Sequence, residues 1–171
     1  MCWYVMQVFT GREKETVGMC RSRTEAGTIK EIFVPEYEYM KKYSGQWHRE
    51  TGVLFPGYIF VRTEEIDALR QMIKRIPEYT KLLDADGEIL PMSQADRMLM
   101  AAMLDERRVF RMSEGYIEGD RIRVTSGPLK GREGWIRKID RHKRRAILDI
   151  DMLGRTIRTT AGLEIVSKKN P

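Results

Sequence analysis

Residues 118–136 read Glu118-Gly119-Asp120-Arg121-Ile122-Arg123-Val124-Thr125-Ser126-Gly127-Pro128-Leu129-Lys130-Gly131-Arg132-Glu133-Gly134-Trp135-Ile136. Gly119-Asp120 turns the chain into Arg121–Val124, where charged and apolar residues alternate as on a strand with one buried face. Gly127-Pro128 breaks that strand, and Gly131 and Gly134 suit backbone conformations that a Cβ would strain. The alternation returns in Trp135–Ile139, Ala146–Ile150 and Thr156–Thr159, punctuated by Gly154. Four or five short strands in about 50 residues predict a small closed or nearly closed β-barrel.

Charge follows the same boundary. Residues 116–171 hold 14 Lys/Arg and 7 Asp/Glu, whereas residues 1–115 hold 17 and 18. The whole net charge of +6 therefore resides in the barrel, and a polyanion is its natural partner. The sharpest feature is Arg141-His142-Lys143-Arg144-Arg145 between two predicted strands. Such residues on one hairpin tip repel one another, and a phosphate backbone relieves that repulsion. Arg132, Arg137 and Lys138 extend the patch. A polyanion bound mainly through its phosphates is the expected ligand of this face.

The first part of the chain is different. Trp3–Phe9 reads as a strand. Thr10 and Glu13 have capping-box spacing and predict a helix from Gly11 to about Ala26. Ile29–Val34 is a second strand, and residues 36–52 form two strand segments joined by a projecting hairpin at Ser44-Gly45. Val53–Val61 is a strongly apolar strand interrupted at Pro56-Gly57, where a bend is expected. Ile66, Leu69, Ile73 and Ile76 have helical spacing. A short strand near Thr80–Leu83 follows, then a helix capped by Ser93. The sum is an α+β domain, an antiparallel or mixed sheet with about three helices. Residues 107–115 lack periodicity and are expected to be a linker. The predicted organisation is 1–106, linker 107–115, and 116–171.

Residues 118–136, continued through Met152–Ile157 to Gly162–Val166, resemble the KOW motif, which implies an SH3-like barrel. Trp3-Tyr4-Val5 with Gln7, Leu54–Val61, Ile76-Pro77 before Tyr79-Thr80, and Leu90–Ser93 resemble the N-terminal domain of the NusG family of transcription elongation factors. Both resemblances fall in the family's order and cover almost the whole chain. Met40–His48 and Ile139–Arg144 are most similar to the specialised LoaP branch, whose members act in processive antitermination.

The resemblance implies that the N-terminal domain binds the clamp helices of RNA polymerase through exposed aromatics. The matching residues are Tyr4, Phe55 and Tyr58, with Phe9 and Tyr79 as weaker candidates. The projecting segment, through Lys41, Lys42, Trp47, His48 and Arg49, is expected to meet the non-template DNA strand or the upstream duplex, with Trp47 stacking on a base and the cations facing phosphates. On the same resemblance the Arg141–Arg145 tip is expected to grip structured RNA, a hairpin in a transcript leader, mainly through shape and phosphates. General family members carry an aromatic, used for ribosomal protein or Rho, where this chain has Leu153. That departure places those contacts in doubt.

An enzyme needs an acid–base pair, an activated nucleophile or a metal set. The histidines, His48 and His142, lie in polar turns, Cys2 and Cys20 lack metal-site spacing, and neither catalysis nor a cofactor is expected. No apolar run reaches membrane-spanning length, and residues 1–9 do not read as a signal peptide, so a cytoplasmic monomer is expected. Two other readings stay open: a general elongation factor coupling polymerase to Rho or the ribosome, and a ribosome-associated KOW protein. The latter leaves the Phe-Pro-Gly-Tyr strand unexplained.

Overall fold

The computed structural model describes residues 2–76, 81–82 and 91–170. Strands and helices alternate through β1 (Cys2–Gln7), α1 (Glu13–Arg23), β2 (Glu31–Phe33), β3 (Glu36–Tyr43), β4 (Gln46–Val53), β5 (Tyr58–Thr63), α2 (Ile66–Lys74), β6 (Lys81–Leu82) and α3 (Gln94–Met103). A strand-rich run follows: β7 (Val109–Phe110), β8 (Ser113–Glu118), β9 (Arg121–Ser126), β10 (Ile136–Asp140), β11 (Arg145–Met152) and β12 (Arg155–Lys169). The α+β region followed by a small all-β barrel agrees with the sequence reading. Among the described residues no helix is long and apolar enough to cross a membrane.

The chain forms two compact units, residues 1–35 with 55–98, and residues 36–54 with 99–171. In the first, the sheet order is β2-β5-β1-β6, with β1 antiparallel to β5. Strand alternation gives this sheet two different faces. Tyr4, Met6, Ile32, Ile59 and Val61 pack with Val17 and Cys20 of α1 and Leu69 and Met72 of α2. Trp3, Phe33 and Phe60 occupy the other parity, with Trp3 edge-on to Phe33 at 5.7 Å and Phe33 stacked on Phe60 at 5.8 Å. Burial also pushes the Cys20 thiol up to about 11, which keeps it protonated and inert.

Phe55-Pro56-Gly57-Tyr58 forms the expected bend. The Tyr58 N–H donates to the Phe55 carbonyl at 3.1 Å, and Gly57 has φ +85°. Pro at the second and Gly at the third position satisfy a type II turn. Glu13 holds it from α1. The expected capping box at Thr10 is replaced by another use of that glutamate. The helix begins after Arg12 with no side-chain cap, and the buried Glu13 carboxylate accepts the N–H groups of Gly57 at 2.7 Å and Gly11 at 3.0 Å. Ser93 does cap α3, accepting the Asp96 N–H at 3.1 Å.

In the second unit the barrel sheet has the order β10-β11-β12-β8-β9. β12 is one long strand. Its first half pairs antiparallel with β11, and its second half pairs parallel with β8. The β3–β4 hairpin belongs to this unit, in a sheet of order β4-β3-β7. The hairpin expected to project packs on β12 rather than standing free, which places residues 36–54 in the unit of the barrel. Residues 107–115, expected as an irregular linker, contain β7 and the start of β8. Asp105 orders them: its Oδ1 accepts the N–H groups of Arg107 and Val109, both at 2.9 Å.

Gly162 lies where the two halves of β12 meet. A Cβ there would overlap Met112 Sδ and the Glu38 carbonyl oxygen, so only glycine permits this approach of β12 to β3. Gly162→Ala is expected to cost about 1–3 kcal/mol through overpacking and to lower the melting temperature by several degrees. Gly134→Ala, whose Cβ meets nothing within 4 Å, should leave a circular-dichroism melt nearly unchanged. Equal melting temperatures for both variants would contradict the packing described here.

Candidate nucleic-acid interface

Two segments singled out separately in the sequence meet in the second unit. The β10–β11 turn presents Arg141, His142 and Lys143 to solvent. Its geometry is fixed from Asp140, whose Oδ1 accepts the Lys143 N–H at 3.0 Å. That hydrogen bond, with the charges of Lys143 and His142, holds the Asp140 carboxyl below its ordinary value. Arg144 has φ +52°, a left-handed position that reverses the chain into β11.

Arg144 and Arg145 do not project freely. The Arg144 guanidinium lies over the Trp47 ring at 4.2 Å, and that of Arg145 lies over Tyr39 at 4.2 Å. Lys42 approaches the Trp47 ring at 6.0 Å. The expectation that Trp47 and Arg144 serve separate ligands is thus modified: the guanidinium, rather than a base, covers the Trp47 ring. Each such contact contributes about 0.5–2 kcal/mol. Tyr43 and His48 stack at 3.6 Å beside the β3–β4 turn, while Lys41 and Lys42 are exposed. Arg49 is 3.6 Å from the buried Glu38 carboxylate and is partly neutralised by it. The combined surface carries cations from both segments and rings from the hairpin.

Other cations expected in the patch are used within the barrel. Arg132 donates to the Pro128 carbonyl at 3.0 Å and lies 5.5 Å from the Trp135 ring. Arg137 donates to Asp149 Oδ2 at 3.1 Å, and Arg158 donates to both Asp149 oxygens at 2.8 and 3.0 Å. Lys138 remains exposed. The Arg158 hydrogen bonds, and then that of Arg137, hold the Asp149 carboxyl down to about 2. Sequence reading missed Asp149 and Arg158; their opposition across β11 and β12 was available only once register was known.

Of the aromatics assigned to polymerase, Tyr4 and Tyr58 face opposite sides of the sheet, Tyr4 pairing across from Val61 and Tyr58 across from Gln7. Tyr4 is buried in the helix-covered core, and burial raises its hydroxyl pKa. Phe55 is 0% exposed, with its ring 6.1 Å from Phe60. Tyr58 is half-buried, and Phe9 is 50% exposed. Tyr79 lies outside the described residues. Leu153 sits with Gly154 in the β11–β12 turn, both at positive φ, the combination favoured in two-residue hairpins. Among the described residues no three His, Cys, Asp or Glu side chains are grouped to hold a metal ion.

An α+β region is followed by a small β-barrel, with cations gathered beside half-buried rings of the hairpin. Residues 1–101 match the family described as "Transcription termination factor nusG", and residues 118–149 match the KOW motif. The chain belongs to the NusG family of transcription termination and antitermination proteins. It is 25% identical to NusG of Pasteurella multocida (strain Pm70), over 98% of this chain and 95% of that protein. It is 26% identical to NusG of Haemophilus influenzae, over 90% and 86%. The solved structure of Thermotoga maritima NusG has the same fold at a TM-score of 0.55 and 18% identity, covering 94% of this chain and 93% of that one.

Asp149 has a depressed folded-state pKa, so its contribution to stability is present above its ordinary value of 3.8 and is lost as pH falls through about 2. Trp fluorescence during acid unfolding is expected to show wild type losing stability across this window, with Asp149→Asn showing a smaller loss there. Identical acid profiles would remove Asp149 from that role.

Proposed function

We propose that this chain is a NusG-type antitermination factor of the LoaP kind, which holds RNA polymerase through its first domain and a structured transcript through its barrel. The functional division is 1–106 and 116–171, with 107–115 between them. The observation that carries the reading is the convergence of the Arg141–Arg145 tip with the Trp47 hairpin, in a barrel that carries the protein's net positive charge. Arg141 and Lys143 are exposed, and among the described residues neither forms an ion pair. Phosphates are suitable counterions for them. Leu153 in place of an aromatic supports a barrel turned from protein partners toward RNA.

The salt dependence of RNA binding tests this. Arg141→Ala with Lys143→Ala leaves the Arg144 and Arg145 ring contacts intact. Loss of two phosphate contacts should weaken hairpin RNA binding and make the slope of log K against log salt shallower by about 1.4–1.8. Unchanged affinity and slope would move the RNA site elsewhere.

For polymerase, the accessible aromatics Phe9 and Tyr58 are the proposed anchors, docking on clamp helices as aromatic side chains dock in grooves. Hairpin residues Lys41, Lys42 and His48 are proposed to face non-template DNA. A Phe9→Ser, Tyr58→Ser double variant should melt near wild type and fail to retain RNA polymerase in a pull-down. Phe55→Ser removes a fully buried ring and should instead destabilise the fold by about 3–5 kcal/mol. Retention of polymerase by a folded double variant would refute the anchor assignment.

A further inference from the structure

Beside the basic tip is an open cleft of about 420 Å³ lined by Arg141, His142, Arg144, Glu164 and Ile165. Its size lies within the range of small-ligand sites. The acidic residue is the unexpected member. For a surface that meets only phosphates, a carboxylate beside the cations repels the ligand. Pairing with Arg144 does not fully account for it. The closest approach, Arg144 Nη1 to Oε1, is 3.6 Å, and the Glu164 side chain remains 33% exposed. Among the described residues, the Glu164 carboxylate accepts no hydrogen bond.

We propose that this cleft reads an unpaired guanine in RNA, with Glu164 accepting hydrogen bonds from the base. The inference rests on the barrel tip being the RNA-binding face. An ionised carboxylate only accepts hydrogen bonds. The Watson–Crick edge of guanine offers two adjacent donors, N1–H and the 2-amino group. Adenine and cytosine place an acceptor next to their donor, and uracil flanks its single N–H with carbonyls; each sets an acceptor against the carboxylate. Unpaired bases in RNA loops are recognised by such edge contacts combined with stacking on rings or guanidinium planes. Arg144 supplies that plane. Trp47 supports one side of it, and Glu164 is within ion-pair distance of its Nη1. Arg141 and His142 form the rim, where flanking phosphates would lie, and Ile165 adds apolar lining.

The test uses the full chain and three fluorescein-labelled RNA hairpins, identical except that the middle base of a uridine loop is guanine, inosine or adenine. Wild type should bind the guanine loop about tenfold more tightly than the adenine loop, the scale of one paired base-edge contact. Inosine, which lacks the 2-amino group, should fall between them. Glu164→Gln, checked by its melt, should bring all three within about twofold, the guanine loop losing affinity while the adenine loop holds or gains it. Equal wild-type affinities that still drop with Arg141→Ala and Lys143→Ala would overturn base reading alone. Retention of the guanine preference by Glu164→Gln would exclude Glu164 as the reader. No binding to any of the hairpins, or binding indifferent to Arg141 and Lys143, would overturn the RNA-binding reading as well.

Discussion

The Glu38 carboxylate is 2% exposed on β3, and the surface described above depends on its being satisfied there. A buried charge of this kind persists only when paired and hydrogen-bonded. Arg111 Nη1 donates to Oε2 at 2.8 Å, the Met112 N–H donates to Oε1 at 3.2 Å, and Arg49 stands 3.6 Å away. These bonds join the hairpin to the segment entering the barrel. Arg111 is itself fixed by Asp105, to which its Nε donates at 2.6 Å. Both arginines are substantially exposed, so their ion pairs are weakened by solvent. The near-total burial of the shared carboxylate makes loss of Glu38 costly all the same, because Arg111 and the Met112 N–H lose a fixed acceptor.

With the hairpin docked, the distribution of positive charge gains a pattern that net charge alone conceals. Asp149 pairs with both Arg137 and Arg158 and offsets one of their two charges, Glu38 does the same for Arg49 and Arg111, and Arg144 and Arg145 lie over rings. Arg141, His142 and Lys143 remain on the outermost turn. Of the residues first grouped as one basic patch, some organise the barrel, some organise the hairpin, and a few stay available to a polyanion. Counterion release scales with the last group only, so the expected salt slope is smaller than the composition suggests.

Much of this architecture was legible in the sequence because it is local. Gly127-Pro128, Ser44-Gly45 and Pro56-Gly57 mark turns by their backbone preferences, and β12 shows its alternation wherever one face is buried. The contacts that join the elements were not legible. Glu13 has the spacing of a capping box, yet its carboxylate reaches Gly57, across the gap from α1 to the β5 turn. Residues 107–115 bury Val109 and Phe110 but show no period, because hydrogen bonds to Asp105 and Glu38 set much of their path. Tyr4 and Tyr58 read alike in sequence, and only the pairing of β1 with β5 separates their faces. Glu164 gave no signal as a site residue, since its neighbours in the cleft come from a turn some 20 positions earlier.

Arg144 shows why proximity matters more than charge at this surface. A long side chain on a positive-φ turn residue would ordinarily sample many rotamers, and ordering it on binding would cost about 0.5–1.5 kcal/mol. Here Trp47 bears on the plane of the guanidinium and Glu164 lies at its Nη1. Neither contact is strong alone, because cation–π and exposed ion-pair energies are each about 1 kcal/mol. Together they restrain the same guanidinium. A lysine could satisfy the charge but has no plane to stack. The arginine is therefore set before any ligand arrives, and the hairpin that looks like a separate projection in the sequence is part of what sets it.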